Sequence, residues 1–513
     1  MLDIKNVTIS KKEDGRFLIK DFNFTLNIGD KVAIIGEEGN GKSTLIKFIY
    51  QKSLLDQYCD YTGQVLGNIK IGYLAQEMEE KWLDKTVEEF FSDTDIYGSC
   101  NPDIWNMNPD ASLFHSSQLI RTLSGGEKVK IRLTKLLTQE PDVLLLDEPT
   151  NDLDIRTLKW MENFINQAKY PIMYVSHDES LIEKTANVII HLEQVKKKTE
   201  PRHTIAYMGY EEYVNNRLNR LKKQEMIAKK QREDYKKQMQ RWQQIYNKVE
   251  SKQNSISRGD PYGGRLLKKK MKNLLSQEKR IEKQAEGFLE IPDVEEAILY
   301  DFPQDVMVPN GKKILEYSLD SLKITTKEGD KILAKNVFLR VMGPEHVAIV
   351  GDNGIGKTTF LRKVAEELLK RKDIKAGYMP QIYEEVLYYG GYPIDFLVPG
   401  GDKEAVTKAF TFMGGMKFTR EEMESKIKDL SGGQKAKLIL LKFILEGCNV
   451  LVLDEPTRNL SPLSNPVIRK VLSQYKGTII SVTHDRKYIE EVATSVYTLT
   501  KEGLKKTEKE EVL

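Results

Sequence analysis

Two glycine-rich stretches of the sequence have the residue types that hold phosphate groups. They read G-E-E-G-N-G-K-S from Gly36 and G-D-N-G-I-G-K-T from Gly351. Each stretch follows a β-like apolar run and opens a helical pattern, so its backbone N–H groups are expected to surround phosphates at a helix N-terminus. The lysine is expected to contact the β- and γ-phosphates, and the next hydroxyl to bind Mg²⁺. The residues predicted to contact ATP are Gly36, Gly39, Gly41, Lys42, Ser43 and Thr44 in the first copy and Gly351, Gly354, Gly356, Lys357, Thr358 and Thr359 in the second.

Two short apolar runs each end in adjacent acids, Asp147-Glu148 and Asp454-Glu455. The aspartates are placed to hold the Mg²⁺ shell together with Ser43 and Thr358, and the glutamates to orient or deprotonate the attacking water. A histidine follows each glutamate by 29 residues, and a glutamine occurs earlier in each half, in Tyr73-Leu-Ala-Gln76 and in Tyr378-Met-Pro-Gln381. The histidines are expected to contact the γ-phosphate and the glutamines to sense Mg²⁺ and that phosphate: His177, His484, Gln76 and Gln381.

A third motif occurs in both halves, L-S-G-G-E from Leu123 and L-S-G-G-Q from Leu430. The aspartate of each half lies 24 residues beyond this leucine. Four motifs in one order, twice, at matched spacing indicate two related ATPase halves. They predict an α/β fold in which each acid follows a buried strand.

This signature resembles that of the ATP-binding cassette (ABC) family over nearly all of both halves. The resemblance implies that two cassettes close head to tail, so that each signature covers the nucleotide on the other half. Ser461 has in the second half the position that Asp154 has in the first, so the two sites need not hydrolyse ATP at equal rates. For adenine stacking, Phe17 precedes Lys42 by 25 residues, whereas Ile332 occupies that step in the second half. The implied signature contacts are Ser431, Gly432 and Gly433 on the first site and Ser124, Gly125 and Gly126 on the second.

Length and composition agree with two cassettes and an additional segment. The 513 residues suit two domains of roughly 200 residues, and 30% of them are charged. No run of 18 apolar residues and no apolar signal region occur, and the three cysteines, an odd number, lack metal-ligand spacing. A cytoplasmic protein is expected. The predicted domains are a first ABC domain at 1–195, a helical-hairpin linker at 196–287 with its tip near 251–265, and a second ABC domain at 288–513.

The segment between the cassettes is strongly basic. From Tyr213 to Glu286 it has 21 Lys and Arg against 8 Asp and Glu, a charge of +13, which leaves −10 for the rest of the chain. Apolar residues repeat in steps of three and four from Tyr235 to Val249 and from Leu267 to Ala285. This pattern predicts two antiparallel helices that pack along these stripes. The Gly, Pro, Ser and Asp content of 254–264 predicts a turn at the tip, roughly 60 Å from the domains.

An excess of positive charge at the tip indicates contact with a polyanion such as RNA. Tyr262 is the one aromatic residue of the predicted loop and is either a base-stacking or a turn-packing residue. Trp242, Tyr246 and Met271 are interpreted as coiled-coil core. The predicted RNA-binding residues are Lys252, Arg258, Tyr262, Arg265, Lys268, Lys269, Lys270 and Lys272.

The linker separates the possible classes of ABC protein. A tandem ATPase subunit of an importer needs only a short connection, and DNA-repair cassettes carry zinc modules or very long coils. A charged helical pair is similar to that of the ABC-F family, whose members act on ribosomes. The glutamine-to-signature steps of 47 and 49 residues leave no room for an extra arm in one half only. Together with the extended tip and the segment 457–466, this resembles the antibiotic-resistance (Vga/Lsa/VmlR-type) group; a housekeeping translation factor is the alternative.

That resemblance implies a specific activity. The protein is expected to enter the tRNA exit site of the bacterial 70S ribosome, contact the 50S subunit and its 23S rRNA, and displace P-site tRNA. Lincosamides, pleuromutilins and streptogramins A would then leave, and hydrolysis of ATP through Glu148 and Glu455 would release the protein. The expected molecule is a monomer whose cassettes pair within the chain, without a transmembrane partner.

Overall fold

The computed structural model describes residues 1–92, 116–151, 153–195, 200–255, 261–285, 287–289, 306–326, 329–416, 418–458 and 460–513. These residues form two compact units. One consists of Met1–Tyr210 and Glu295–Leu513 and contains both cassettes, and the other is Glu211–Val294. The predicted fold class, two ABC-type α/β domains in tandem with a helical insertion between them, is confirmed. None of the described helices is long and apolar enough to cross a membrane.

The first cassette contains two sheets. A three-stranded antiparallel sheet has the order β2-β1-β4, and a six-stranded sheet has the order β5-β6-β7-β3-β8-β9. In the second sheet all neighbours are parallel except β8 and β9. The strands are β1 (Leu2–Lys11), β2 (Phe17–Leu26), β3 (Lys31–Ile35), β4 (Cys59–Leu66), β5 (Ile71–Leu74), β6 (Val143–Asp147), β7 (Ile172–Val175), β8 (Val188–Val195) and β9 (Glu200–Ala206). The described α-helices up to the linker are α1 (Lys42–Tyr50), α2 (Glu80–Leu83), α3 (Val87–Phe90), α4 (Gly125–Leu137), α5 (Ile155–Gln167) and α6 (Glu179–Thr185).

The second cassette repeats this arrangement. Its six-stranded sheet has the order β13-β14-β15-β12-β16-β17, beside a two-stranded antiparallel sheet of β10 and β11. The strands are β10 (Lys313–Thr326), β11 (Gly329–Met342), β12 (His346–Val350), β13 (Ala376–Met379), β14 (Val450–Asp454), β15 (Thr478–Val482), β16 (Ser495–Thr500) and β17 (Gly503–Thr507). The helices are α9 (Lys357–Leu369), α10 (Pro393–Leu397), α11 (Lys403–Gly415), α12 (Arg420–Glu424), α13 (Gly432–Glu446), α14 (Asn465–Ser473), α15 (Arg486–Glu491) and α16 (Lys509–Val512), the linker helices α7 and α8 being given below.

The central strands form because they are apolar on both faces. Every residue of β3, β6, β12 and β14 is buried, as in parallel sheets that are covered on both sides. In each cassette the glycine-rich loop follows one of these strands, and the adjacent acids end another strand of the same parallel sheet. Both groups therefore lie at the carboxyl edge of the sheet, where ligands bind in open α/β folds.

The unit Glu211–Val294 is a helical hairpin of α7 (Tyr210–Ser255) and α8 (Pro261–Ala285). Its core contains the predicted stripes, with Trp242, Val249 and Leu274 buried. The indole Nε1 of Trp242 donates a hydrogen bond of 2.9 Å to the carbonyl of Leu274. The interpretation of the aromatic stripe as coiled-coil core is confirmed, with Met239, Tyr246, Leu267 and Met271 packed against it.

The predicted tip loop at 254–264 is wrong at both ends. Helix α7 continues through Ser255, and α8 begins at Pro261, so residues 261–264 are helical. Proline is well suited to the first position of a helix because its φ is already helical and its missing N–H has no intrahelical acceptor there. The glycine content was therefore a misleading indication of a turn. Residues 256–260 lie outside the described part of the chain.

Candidate active sites

The glycine-rich loops adopt backbone conformations that favour glycine. Gly36, Gly41, Gly351 and Gly356 have φ values of 142°, 89°, 149° and 100°. A Cβ at Gly36 would lie 2.2 Å from the carbonyl oxygen of Leu192, so no side chain fits there. Gly41 and Gly356 directly precede α1 and α9, which directs the first N–H groups of each helix toward its loop.

The two loop lysines are buried and bonded in the same way. Lys42 Nζ donates to the carbonyls of Gly36 and Glu37 at 2.9 and 3.0 Å. Lys357 Nζ donates to the carbonyls of Gly351 and Asp352 at 2.8 and 2.9 Å. Each ammonium group therefore lies inside its own loop, where phosphate oxygens would meet it.

The hydroxyl and carboxylate predicted to hold Mg²⁺ lie together. Ser43 Oγ donates to Asp147 Oδ1 at 2.7 Å. Burial raises the pKa of Asp147, although the bond from Ser43 opposes the rise. In the second cassette burial raises the pKa of Asp454 to about 6, and neighbouring Thr358 and Lys357 oppose this rise.

These sites fit a cation. Both carboxylate oxygens of Asp454, and Oε2 of Glu148, are buried and have no hydrogen-bond partner among the described residues. The described part contains no group of three or more His, Cys, Asp or Glu side chains that could hold a metal by themselves. Mg²⁺ in nucleotide sites usually takes only one or two protein carboxylates and completes its shell with phosphate and water oxygens. The hydroxyl and carboxylate of each cassette match that requirement.

The two glutamate–histidine pairs differ. His177 Nε2 lies 3.0 Å from Glu148 Oε1. Burial alone would raise the pKa of Glu148, but His177 and Lys42 outweigh it, and the pKa lies below its ordinary value. Both glutamates, Glu148 and Glu455, have positive φ, at 49° and 51°, a conformation that non-glycine residues retain mainly at functional sites.

In the second pair, His484 Nε2 is 3.7 Å from Glu455 Oε1, and the His484 amide donates to Oε2 at 3.3 Å. Burial, with Asp454 adjacent, raises the pKa of Glu455 to about 8. Burial and Lys357 lower the pKa of His484 to about 3. His484 Nδ1 has no partner among the described residues. His177 Nδ1, in contrast, lies 3.0 Å from the carbonyl oxygen of Leu460 on the other cassette.

The second site is an open cavity of about 760 Å³ between the cassettes. Its lining joins the signature of the first cassette with the phosphate loop and acids of the second. Asp154 borders this site, where its charge raises the pKa of both Lys357 and His484 against the larger effect of burial. The lining includes Ser124, Gly125, Gly354, Gly356, Lys357, Thr358, Thr359, Gln381, Asp454, Glu455 and His484.

The signature of the second cassette also meets the phosphate loop of the first. A cavity of about 30 Å³ is lined by the signature residues Ser431 and Gly433 and by Glu37, Glu38 and Ser461. The Gly432 amide donates to Glu38 Oε2 at 2.6 Å. Glu38 is not among the residues predicted from the sequence; the signal for it is its difference from Asn353, which has this position in the second loop.

The remaining predicted residues differ in their surroundings. Gln76 is exposed, whereas Gln381 lines the cavity of the second site. Gly126 packs against α5, where a Cβ would lie 2.6 Å from Thr157 Oγ1. Ile332, at the step where the first half has Phe17, is half-exposed, and Ile324 and Leu333 line the second cavity. Phe17 is also half-exposed, on β2.

The signature serines also cap helices, and the sequence contains the pattern that indicates this role. Ser124 is the N-cap of α4 and forms a capping box with Glu127, and Ser431 does the same on α13 with Gln434. The spacing S-x-x-E or S-x-x-Q is the indication of this cap. Asp154 caps α5 by accepting from the Thr157 amide at 2.8 Å.

The predicted RNA-binding residues lie on the hairpin. Tyr262 is 76% exposed in the first turn of α8. Arg258 lies outside the described residues. None of the others has an ion pair within the described part, and all are exposed: Lys252, Arg265, Lys268, Lys269, Lys270 and Lys272.

Comparison with known proteins identifies the domains. The family model described as ABC transporter matches residues 19–151 and 334–458. ABC transporter F family member 2 of Arabidopsis thaliana is 26% identical over 555 residues, covering 97% of this chain and 76% of the plant protein. The ribosome protection protein VmlR of Bacillus subtilis (strain 168) is 29% identical over 516 residues, covering 99% of this chain and 88% of that protein.

A solved structure shares the fold. The archaeal ribosome recycling factor aABCE1, solved in complex with the ribosomal stalk protein aP1, superposes with a TM-score of 0.56 at 14% identity, covering 97% of this chain and 89% of that chain. Both matched regions of the sequence contain a glycine-rich loop and the acids described above. The chain therefore belongs to the ABC transporter family, as a tandem ATPase whose relatives include members of the F branch.

Proposed function

We propose that the protein is an ABC-F ATPase that binds the bacterial ribosome and protects it from antibiotics of the peptidyl transferase centre. The observation that carries the ATPase part is the cavity that Ser124 and Gly125 of one cassette share with Lys357 and Glu455 of the other. ATP bound there would meet donors from both halves. Two such composite sites make cassette closure depend on nucleotide.

In each proposed site the protein residues have separate tasks. The loop amides and lysine would bind the phosphates. Ser43 with Asp147, or Thr358 with Asp454, would hold Mg²⁺, which would neutralise charge on the phosphates. Glu148 and Glu455 orient the attacking water and accept its proton, with His177 and His484 beside them. Hydrolysis removes the γ-phosphate that joins the cassettes, so the protein opens.

The ribosomal part is supported by the exposed positive charge of the hairpin and by the relatives. Lys268, Lys269, Lys270 and Lys272 present four ammonium groups near the start of α8, as phosphate backbones require. One relative is named as a ribosome protection protein, and the structure similar in fold is that of a ribosome recycling factor. We infer that the hairpin enters the tRNA exit site of the 70S particle, contacts 23S rRNA of the 50S subunit and displaces P-site tRNA.

The test uses a variant that binds ATP without hydrolysing it. E148Q/E455Q with ATP is expected to co-sediment with 70S or 50S particles, and the same variant with Lys42 and Lys357 also replaced by alanine is not. Absence of any ATP-dependent complex would contradict the ribosomal proposal.

The resistance part requires a separate experiment. Expression of the wild type in a susceptible bacterium is expected to raise the inhibitory concentration of a lincosamide and a pleuromutilin. If ribosomes are bound but drug susceptibility is unchanged, the chain is a translation factor. That second candidate is favoured by relatives that bear only the ABC-F family name.

A further inference from the structure

Four charged side chains are buried where the two cassettes meet. Glu162 and Glu179 belong to the first cassette and are 6% and 5% exposed, and Arg469 and Arg486 belong to the second and are 2% and 4% exposed. Arg469 forms an ion pair with Glu179, and Arg486 with Glu162. Each pair therefore crosses the interface.

The positions of these residues are related by the internal repeat. The aspartates Asp147 and Asp454 are 307 positions apart, and the same step relates Glu162 to Arg469 and Glu179 to Arg486. Each of the two acids of the first cassette therefore corresponds to an arginine at the equivalent position of the second cassette. At these two positions the faces of the two cassettes carry opposite charges.

Further polar contacts surround the two ion pairs at this interface. Tyr210 OH lies 3.3 Å from Glu179 Oε1 and 3.0 Å from the carbonyl oxygen of Pro462, so it bridges the cassettes beside the first ion pair. Arg469 Nε also donates to Glu491 at 3.0 Å, and Arg486 lies 3.4 Å from Asp178.

Apolar packing continues this interface. Ile155 of the first cassette packs on a cluster of the second that contains Ala348, Ile489 and Ala493. Neither glycine-rich loop contributes a described residue to this apolar cluster.

A buried charge that loses its partner is strongly unfavourable, whereas a solvated ion pair contributes little. Separating the cassettes here would expose the apolar cluster to water, and pairing either face with a copy of itself would bury like charges against each other. We propose that Glu162, Glu179, Arg469 and Arg486 form a charge-matched joint that holds a first cassette against a second cassette without nucleotide and disfavours pairing of either cassette with its own copy.

The first experiment measures the distance between cassettes in the nucleotide-free full-length chain. Spin labels are placed on exposed cysteines introduced by Glu13→Cys and Lys403→Cys. Cys100 is replaced by serine so that it cannot be labelled. The other two cysteines, Cys59 and Cys448, are buried and are kept. The wild-type background is expected to give one narrow distance distribution.

R469M is expected to broaden this distribution and shift it to longer distances, because it leaves Glu179 buried without its partner. The double variant E179L/R469M is expected to restore the narrow distribution, since replacing both partners by apolar groups removes the penalty. R156M is the matched control: Arg156 also crosses the interface, 3.8 Å from Asp352, but is 85% exposed on its side chain, so its loss should change nothing.

An unchanged distribution in R469M, or a double variant as broad as the single one, would overturn the joint. If R469M does not fold, as judged by circular dichroism, R486M and E162L/R486M provide the same comparison on the second ion pair.

A second experiment tests the charge matching. E162R/E179R makes all four positions basic, and R469E/R486E makes them all acidic. Each variant alone is expected to be a monomer, whereas an equimolar mixture is expected to form a 1:1 complex of doubled mass in light scattering, because basic and acidic faces then occur only on different chains. A mixture that remains monomeric would contradict the selection of the partner face by charge.

Discussion

The Glu38 carboxylate accepts a hydrogen bond of 2.6 Å from the Gly432 amide, 394 positions along the chain. Gly432 is the first residue of α13, so its N–H is one of the free donors that a helix presents to an anion. At the first site a protein carboxylate therefore uses a donor that a phosphate would need.

Replacement of this carboxylate is expected to improve ATP binding at the first site. E38N gives the first loop the residue that the second has as Asn353, and it removes a competing anion. The gain should be about 1 kcal/mol, a few-fold in Kd, because the contact is exposed. The measurement is an ATP titration of E38N in the K357A background. The reverse change N353E should weaken binding in a K42A background, and equal affinities in all variants would contradict this competition.

The two glutamates are expected to give different pH profiles. Glu148 has a lowered pKa, whereas burial raises that of Glu455 to about 8. A general base acts in its deprotonated form, so activity that depends on Glu455 must rise as pH approaches 8, and activity that depends on Glu148 is already maximal at pH 7.

E148Q retains only Glu455, and its ATPase rate should increase about fivefold from pH 7 to 8. E455Q should change little over that interval. The check is steady-state ATPase activity of both variants at constant ionic strength and saturating Mg²⁺. Parallel profiles would show that bound Mg²⁺-ATP equalises the two sites.

Neutralising the lysine block should weaken ribosome binding and reduce its dependence on salt. K268Q/K269Q/K270Q removes three exposed charges, and each lost phosphate contact should lower the slope of log affinity against log salt concentration by about 0.7 to 0.9. Ribosome affinity is measured by sedimentation at several salt concentrations, with basal ATPase activity expected to be unchanged. The control, K222Q/K223Q/K230Q, removes the same number of positive charges from α7. Equal losses in both triple variants would mean that only the net charge of the hairpin matters.

Trp242 is expected to determine how firmly α7 and α8 pack. W242A removes a large buried side chain and a hydrogen bond, a loss of about 3 to 5 kcal/mol, whereas W242F should lose only about 1 kcal/mol with the bond to Leu274. Hydrogen exchange of hairpin amides reports this directly. Ile245 is half-exposed on the same helix, and I245A should stay within about 0.5 kcal/mol. Fast exchange in I245A but not in W242A would contradict the assignment of Trp242 to the hairpin core.

Much of this molecule follows from contiguous sequence. The loops at Gly36 and Gly351, the acids at the ends of β6 and β14 and the stripe through Trp242 depend on local propensity and on periods of two or three to four residues. Such features are complete within one element, and their chemistry follows from residue type. The start of α8 at Pro261 shows where local reasoning fails, because glycine and proline are compatible with both a turn and a first helical turn.

The tertiary structure alone decided which residues from the two halves meet. Glu38 reaches Gly432, His177 reaches Leu460, and Arg469 reaches Glu179 only because two folded cassettes face each other. The repeat made the halves look equivalent, yet Glu38 occupies the Gly432 amide at the first site, and a cavity of about 760 Å³ lies at the second. That difference arises from packing between distant segments, whose energies depend on burial and on the partner's charge, and neither can be read from the spacing of motifs along the chain.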